Sequence, residues 1–200
     1  MEAMDFFRMT AGRWISQRTT HHLAMRRTEL GQLEITASVL DASDTKVAEI
    51  CQMHEVDPAQ AIGGAAVSWQ GSMQWDEEGQ TQTGATILVL VPDDDDPNVG
   101  QLLREQGYAE TAPVVGRYWV DEQDGLVLTT DYSTMSSVER FSFINAATRI
   151  RTSTVIGLSN TASFCFETRI DGEHGALIKE ADRSPEAIKI PAAHYSALGW

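Results

Sequence analysis

The sequence is poor in cysteine and in basic residues, and both shortages narrow its possible functions. It has 2 cysteines in 200 residues, too few for a disulfide framework. It has 15 lysines and arginines but 29 aspartates and glutamates, so its net charge is −14. A surface potential of this sign repels nucleic-acid phosphates and anionic membrane surfaces. We therefore expect no nucleic-acid partner.

Long apolar runs and a targeting signal are also missing. No run approaches the length of about 18 apolar residues that a membrane helix needs. The N-terminus has neither the basic region nor the apolar region of a secretory signal. We expect no membrane insertion and a cytoplasmic location, where a reducing environment suits two unpaired cysteines. A length of 200 residues suffices for one domain with its own core.

Alternation of apolar and polar residues, the pattern of β-strands, fills most of the chain. In RWISQRTTHH it places Trp14, Arg18 and His22 on one face and His21 on the other. In AAVSWQGSMQWD it places Trp69 and Trp75 on one face. Similar stretches recur at intervals of about ten residues. Such spacing predicts a sandwich or a barrel, and closure into a barrel removes the exposed sheet edges.

Helical periodicity is limited to short stretches. Residues 1–10 favour an amphipathic turn or helix, and residues 44–56 favour a helix capped by Asp44 or Thr45. The acidic stretch 93–110 is predicted to be a loop with a short helical turn. From residue 171 the alternation stops. Residues 1–170 are therefore predicted to form the domain and 171–200 a flexible tail, ordered only if Tyr195 or Trp200 docks.

Established catalytic and metal-binding motifs are not found. There is no nucleophile elbow, no phosphate-binding loop and no cysteine or histidine pair at metal spacing. His21 and His22 are adjacent on a strand and point to opposite faces, so they cannot share a metal ion, and no metal site is expected. Cys51 and Cys165 are predicted to be small core residues.

Aromatic and arginine side chains on the inner faces of these strands predict a ligand cavity. Each residue alone is typical of a core or of a solvated surface. Together, rings and guanidinium groups would bind a flat, apolar molecule that carries carboxylates. Glu139 and Asp131 could accept hydrogen bonds from its N–H groups. The candidate contacts are Arg18, Trp69, Trp75, Arg149 and Arg151, and further inner-wall candidates are Met73, Tyr118, Phe141 and Phe143.

Four stretches of the sequence resemble the S-type phycobiliprotein lyases of cyanobacteria. They are MDFFRMTAGRWISQRTTHHLAMRR, EICQMHEVDPAQAIGGAAVSWQGSMQWD, LLREQGYAETAPVVGRYWVDEQDGLVLTTDYSTMSSVERFSF and RIRTSTV. The resemblance extends in order from about residue 4 to residue 170 and leaves out the tail. It implies an all-β, lipocalin-like (calycin) antiparallel barrel of about ten strands with one packed α-helix.

The resemblance also implies an enzymatic function. S-type lyases are bilin chaperones: they bind a linear tetrapyrrole noncovalently and direct a thioether bond between its ring-A ethylidene group and a phycobiliprotein cysteine. The implied substrate is phycocyanobilin or phycoerythrobilin, with no permanently bound cofactor. The implied partners are an apo-phycobiliprotein subunit, expected to be the β subunit, and a second copy or a related lyase in a homodimer or heterodimer.

Site roles follow from the resemblance as well. The two bilin propionates would pair with Arg18 and with Arg149 or Arg151, while Trp69 and Trp75 would pack against the pyrrole planes. The catalytic candidates are Glu139, which would accept pyrrole N–H groups or keep the bilin protonated, and His21, which would deprotonate the acceptor thiol.

Two other functions stay open at this point. A cytoplasmic lipocalin-like carrier of a fatty acid or another carboxylated lipophile would need the same arginines inside a barrel. A subunit of a heterodimeric lyase would be active only when mixed with its relative. Transfer of bilin to an acceptor subunit separates these functions, because a carrier gives none.

Overall fold

Ten antiparallel strands close into one barrel. The computed structural model describes residues 1–94, 96–105, 114–157 and 159–172. Each strand pairs with its neighbours in sequence, and the first pairs with the last. The strands are β1 Gly12–His22, β2 Arg27–Asp41, β3 Gly63–Met73, β4 Gln82–Asp93, β5 Asp96–Arg104, β6 Val114–Val120, β7 Leu126–Asp131, β8 Met135–Asn145, β9 Thr148–Gly157 and β10 Thr161–Arg169. The barrel predicted from the sequence is confirmed.

Two α-helices accompany the barrel, where the sequence predicts one packed helix and a turn or helix at the N-terminus. They are α1 Ala3–Thr10 and α2 Thr45–Met53, and a short 3-10 helix follows over Pro58–Gln60. Asp44 is the N-cap of α2, since its carboxylate accepts a hydrogen bond from the Lys46 backbone N–H at 2.9 Å. No helix in the described part of the chain is long and apolar enough to span a membrane.

Helix α1 closes one end of the barrel. Phe6 and Phe7 are buried in a core cluster with residues of the inner wall such as Leu88. The Met1 ammonium donates a hydrogen bond to Asp124 in the β6–β7 turn, at 2.6 Å. We call this end the floor, and the opposite end, which carries the β1–β2 and β3–β4 turns, the mouth.

Helix α2 packs against the outside of the barrel. Strand β4 is apolar on both faces, because Leu88 and Leu90 point into the barrel while Val89 and Val91 lie beneath α2. A strand covered on both faces is expected to have a continuous apolar run. In β4 this run is ILVLV, residues 87–91. Cys51 lies on the inner face of α2 and is fully buried, in the core position predicted for it.

The acidic stretch after β4 corrects one sequence prediction. Residues 96–104 form β5, which pairs with β4 and β6, instead of a loop with a helical turn. Leu102 and Leu103 are both buried because one faces the barrel interior and the other faces α2. The aspartate run and Pro97 obscure this pattern in the sequence. The rest of that predicted loop, residues 106–110, and the predicted tail with Tyr195 and Trp200 lie outside the described residues.

Candidate functional site

The barrel encloses one sizeable cavity. Its volume is about 460 Å³, within the range of small-molecule sites. Phe6, Phe7 and Thr10 of α1 line it at the floor. The apolar part of its wall includes Leu33, Ile35, Val67, Trp69, Met73, Leu88, Leu126, Leu128 and Phe141, and the polar part includes Arg18, Thr20, His22, Glu29, Gln82, Arg104, Glu139, Arg149, Arg151 and Glu167.

The charge of this wall differs in sign from that of the whole protein. Four arginines and three glutamates line the cavity, so its formal charge is positive, whereas the chain carries −14. Four arginines gathered inside an acidic protein create a local potential that attracts carboxylates. The cavity therefore favours an anionic ligand with apolar surface.

A buried ion pair anchors the wall near the floor. Arg149 donates from Nε to Glu167, and both side chains are almost completely buried. Ser16 donates from Oγ to Glu167 Oε1 at 3.1 Å, and the Arg149 guanidinium lies 4.6 Å from the centre of a Trp14 ring. Burial lowers the pKa of Arg149 despite its pairing with Glu167. Burial alone would raise the pKa of Glu167, but the charges of Arg149 and Arg151 and two hydrogen bonds outweigh it and hold that pKa below its usual value.

Alternating charges continue from this pair towards the mouth. Arg151 Nε lies 3.3 Å from Glu167 Oε1, and Arg151 Nη1 donates to Glu139 Oε1 at 3.3 Å. Arg104 Nη2 lies 3.8 Å from the other oxygen of Glu139. Five charged side chains from β5, β8, β9 and β10 thus form one network, and its carboxylates hold the guanidinium groups in place.

Arg18 differs from the other cavity arginines. Its Nε donates to Thr20 Oγ1 at 2.9 Å and its Nη2 to Ser163 Oγ at 3.3 Å. Among the described residues, no carboxylate lies within ion-pairing distance of Arg18. Its charge is therefore available to an anion from outside the protein.

Several buried polar atoms of the wall have no hydrogen-bond partner within the described residues. They are Thr10 Oγ1, Arg104 Nε and Arg149 Nη1. A buried donor without a partner costs about 1–3 kcal/mol. An occupant of the cavity that carries hydrogen-bond acceptors would remove part of that cost.

The two tryptophans of the predicted site lie in different places. Trp69 lines the cavity, and its ring lies so close to Gly84 on β4 that a Cβ there would come within 2.2 Å of it. Strand β3 ends at Met73, so Trp75 lies in the β3–β4 turn rather than on the same strand face as Trp69. Trp75 is 44% exposed and stacks on His22, with ring centres 4.7 Å apart. It belongs to the mouth rather than to the cavity wall.

The adjacent histidines also separate. His21 lies on the outer face of β1, where its Nδ1 is 3.3 Å from Thr28 Oγ1. His22 lines the cavity, and its Nε2 is 3.0 Å from Glu29 Oε2. The structure therefore brings Arg18, Trp69, Glu139, Arg149 and Arg151 together, but not His21. Asp131, at the end of β7, is exposed.

Sequence reasoning missed four charged or titratable residues of the wall. Glu167 follows the inward-facing Cys165 by two positions, so strand alternation could have identified it. Alternation could also have identified Glu29, because it lies two positions after Arg27, the β2 residue that pairs with His22. Arg104 falls in the stretch 93–110, for which the sequence predicts a loop, and the resemblance points to His21 rather than to its neighbour His22.

We expect acid to destabilise the protein through Glu167. Its pKa in the folded state is held below the ordinary value, so its ionisation contributes stability that is complete above about pH 4.5 and is lost as the pH falls through the folded-state pKa. Urea unfolding followed at pH 7 and at about pH 3.5 should show this loss, and Glu167→Gln should reduce the pH dependence. An equal pH dependence in the variant and the original chain would contradict the prediction.

The described residues contain no cluster of side chains suited to bind a metal ion. Within residues 1–94, 96–105, 114–157 and 159–172, no three His, Cys, Asp or Glu side chains come close enough to hold a metal ion. The positive wall described above is suited to anions instead.

Comparisons with known proteins agree with this geometry. A sequence family described as "CpeS-like protein" matches residues 2–170. The chain is similar to "Chromophore lyase CpcS/CpeS 2" of Trichodesmium erythraeum, with 48% identity over all of both chains. It is 53% identical to the protein of the same description from Synechocystis sp., over 87% of this chain and 92% of that one. "Phycocyanobilin lyase subunit CpcS" of Picosynechococcus sp. is 47% identical over 100% of this chain and 98% of its own.

A solved structure shares the fold. It is the S-type phycobiliprotein lyase CPES from Guillardia theta, with a TM-score of 0.76 and 30% sequence identity. The match covers 86% of this chain and 95% of that chain. The fold of this chain thus has a counterpart among solved structures.

Proposed function

This chain belongs to the CpeS-like family, and from that membership we propose that it is a phycobiliprotein chromophore lyase. It binds a linear tetrapyrrole in the barrel noncovalently and directs its thioether attachment to a cysteine of a phycobiliprotein subunit. The observation that carries the proposal is a cavity of about 460 Å³ whose wall combines Trp69 with four arginines, one of them, Arg18, without a carboxylate partner among the described residues.

The proposed pose follows from the charges of the wall. One bilin propionate pairs with Arg18, and the other reaches Arg151 and the unpartnered Nη1 of Arg149. Trp69 packs against a pyrrole plane. Glu139 accepts pyrrole N–H groups or keeps the bilin protonated. A bilin held in one extended pose exposes ring A to one attack geometry, which is catalysis by orientation.

The attacking sulfur belongs to the acceptor protein in this proposal. Cys51 is fully buried, and burial raises the pKa of its thiol. Cys165 is 1% exposed. We expect Cys51→Ser with Cys165→Ser to retain transfer activity. The assay is run at low temperature because Cys51 packs in the core between α2 and the barrel. Loss of transfer by the folded double variant, with its far-UV spectrum unchanged, would indicate a covalent relay through this protein.

Titration of the protein with bilin, with and without an acceptor, tests the function directly. Purified protein is mixed separately with phycocyanobilin and phycoerythrobilin, and absorption and fluorescence are recorded with and without an apo-phycobiliprotein β subunit. A red-shifted complex followed by a covalent fluorescent adduct on the acceptor is the expected result. A complex without transfer would favour a subunit of a heterodimeric lyase, and no complex would favour a carrier of another carboxylated lipophile.

Self-association is part of the proposal, and the outside of the barrel supports it. We give the name uncharged outer wall to a patch of outward side chains on β9, β10, β1 and β2 that consists of Ile150, Thr152, Thr154, Ala162, Phe164, Phe166, Gln17, Thr19, Leu30 and Gln32. The outward Arg13–Glu34 ion pair lies outside this patch, nearer the floor. Phe164 and Phe166 are 44% and 38% exposed, and Leu30 is 52% exposed. Two copies that each carry −14 repel one another, so a patch without charged side chains is where they can meet.

We expect a homodimer that forms through this wall. Phe164→Glu with Phe166→Glu should give a monomer by sedimentation velocity, because four buried carboxylates would enter a symmetric interface without partners. Met53→Glu, an equally exposed apolar side chain on α2, serves as the control and should stay dimeric. If the original chain is a monomer, the heterodimer is the assembly that remains proposed. If the double variant is still a dimer, the interface lies on another surface.

Location and chain organisation complete the proposal. We place the protein in the cyanobacterial cytosol, where phycobilisomes assemble, and both cysteines are free, as a reducing compartment requires. Residues 171–200 are proposed to be a separate tail. The family match ends at residue 170, whereas the Trichodesmium relative aligns over the whole chain.

A further inference from the structure

Three side chains from different elements meet at the mouth of the barrel. His22 Nε2, on β1, is 3.0 Å from Glu29 Oε2 on β2. The ring of Trp75, from the β3–β4 turn, stacks on the imidazole at an angle of 30°. His22 and Glu29 both line the cavity, and Glu29 is only 8% exposed. The imidazole is therefore fixed in orientation at the place where the cavity meets the surface.

We propose that His22 is the base that takes the proton from the acceptor cysteine, and that Glu29 positions it. This inference rests on the proposed function, because it concerns the thioether step. A carboxylate on Nε2 keeps the proton of the neutral imidazole on that nitrogen, so Nδ1 carries the lone pair and can accept a proton. The pair has the base-and-orienter arrangement that activates nucleophiles in other enzymes.

The position of the pair agrees with the direction from which the acceptor must come. α1 closes the floor, so the acceptor cysteine reaches ring A from the mouth. Trp75 is 44% exposed there, and it can contact both the bilin and the incoming chain. Near the floor, the Arg149–Glu167 pair is buried where an acceptor protein does not reach it.

The chemistry of the step balances without a further reagent. The acceptor S–H bond breaks, and its proton moves to His22 Nδ1. The thiolate forms the C–S bond at the ethylidene carbon, and the electron pair of the C=C bond takes a proton at the adjacent ring carbon. The imidazolium can return that proton, so the reaction is an addition with no leaving group and no change in the oxidation state of the protein.

Few other charged groups surround His22. Glu29 and Arg27 lie on β2, and Arg27 is the register partner of His22 and is exposed. Arg18 lies on the same face of β1. In the β3–β4 turn, Asp76 accepts hydrogen bonds from Met73 N and Gln82 Nε2, both at 2.7 Å. The paired partner on β10, Thr161, is uncharged.

The test compares transfer rates with bilin affinity. In single-turnover reactions with phycocyanobilin and an apo-phycobiliprotein β subunit, His22→Gln should transfer about 100-fold more slowly, the usual effect of removing a general base. Its bilin affinity should stay within about twofold, since the charged contacts of the wall are intact. The rate–pH profile should lose its acid limb, and added imidazole should restore part of the rate of His22→Ala.

Further variants separate the possible failures. Glu29→Gln should slow transfer less than His22→Gln does and shift the acid limb rather than remove it. Lys46→Ala, at an exposed position on α2, is the control and should transfer at the original rate. An unchanged rate and pH profile in His22→Gln would overturn the inference, as would loss of transfer in His21→Gln with His22→Gln unaffected. If the original chain transfers no bilin, the proposed function itself fails.

Discussion

Replacement of Arg149 by alanine should lower the free energy of unfolding by about 3–5 kcal/mol. The substitution leaves Glu167 ionised or forces it to take up a proton in a site where its carboxylate is fully buried. Removal of one partner from a buried pair costs more than the pair itself contributes, because the desolvation of the other charge is then compensated only in part, here by Arg151 and Ser16. The guanidinium contact with the Trp14 ring is lost as well. Urea unfolding followed by circular dichroism measures the effect.

An exposed ion pair provides the matched control for this prediction. Arg140 donates from Nε to Asp121 at 2.6 Å, but both side chains remain accessible to solvent. Arg140→Ala should therefore cost about 1 kcal/mol or less. The double variant Arg149→Met with Glu167→Met should recover part of the stability lost by Arg149→Ala, since neither charge of this pair remains and Arg151 keeps Glu139 as its partner. A cost below about 1 kcal/mol for Arg149→Ala would show that the pair is far less desolvated than its burial indicates.

Arg18→Ala should weaken bilin binding by about 1.5–3 kcal/mol, or about 10-fold to 150-fold in Kd. The reason is that, within the part of the chain that the structure describes, Arg18 has only the hydroxyls of Thr20 and Ser163 as partners, so its charge is available to a propionate. The free energy of unfolding should change little, because no buried carboxylate loses its partner. Absorption titration with phycocyanobilin gives the affinity, and urea unfolding gives the stability.

Arg13 is the control for the same strand. It lies on the outer face of β1, where its Nε donates to Glu34 Oε1 at 2.9 Å. Arg13→Ala should leave the bilin affinity unchanged. If Arg18→Ala bound bilin as tightly as the original chain, the assignment of a propionate to Arg18 would have to be abandoned. Arg149→Ala is the less informative variant for binding, because it changes stability at the same time.

The sequence predicts the inner face of the barrel well where alternation is regular. The faces of β1 follow from period two, and Arg149 and Arg151 face inward together as predicted. Alternation depends only on backbone geometry, so the inward and outward faces of a strand can be predicted without knowing which strands pair with it. It fails at Trp75, because the strand ends two residues earlier, and strand ends depend on turns that period two does not encode.

The contacts between side chains of different strands could not be predicted from the sequence. Glu139 meets Arg104 and Arg151 because β5, β8 and β9 curve around one cavity, and nothing in the local sequence of each strand specifies that meeting. The pairing of His22 with Glu29 likewise needs the register of β1 on β2. Register in a closed barrel is a property of the whole sheet, fixed by which faces are buried.

The pairing of the first strand with the last determines when the site exists during synthesis. Arg18 on β1 reaches Ser163 on β10, a hydrogen bond between residues 145 positions apart, and the β1–β10 seam runs along the whole length of β1. A nascent chain that has not yet released β10 from the ribosome has an open sheet, without Glu167, Ser163 or the second side of the cavity. The complete cavity therefore forms only after the last strand has been synthesised, and we expect bilin to bind after translation.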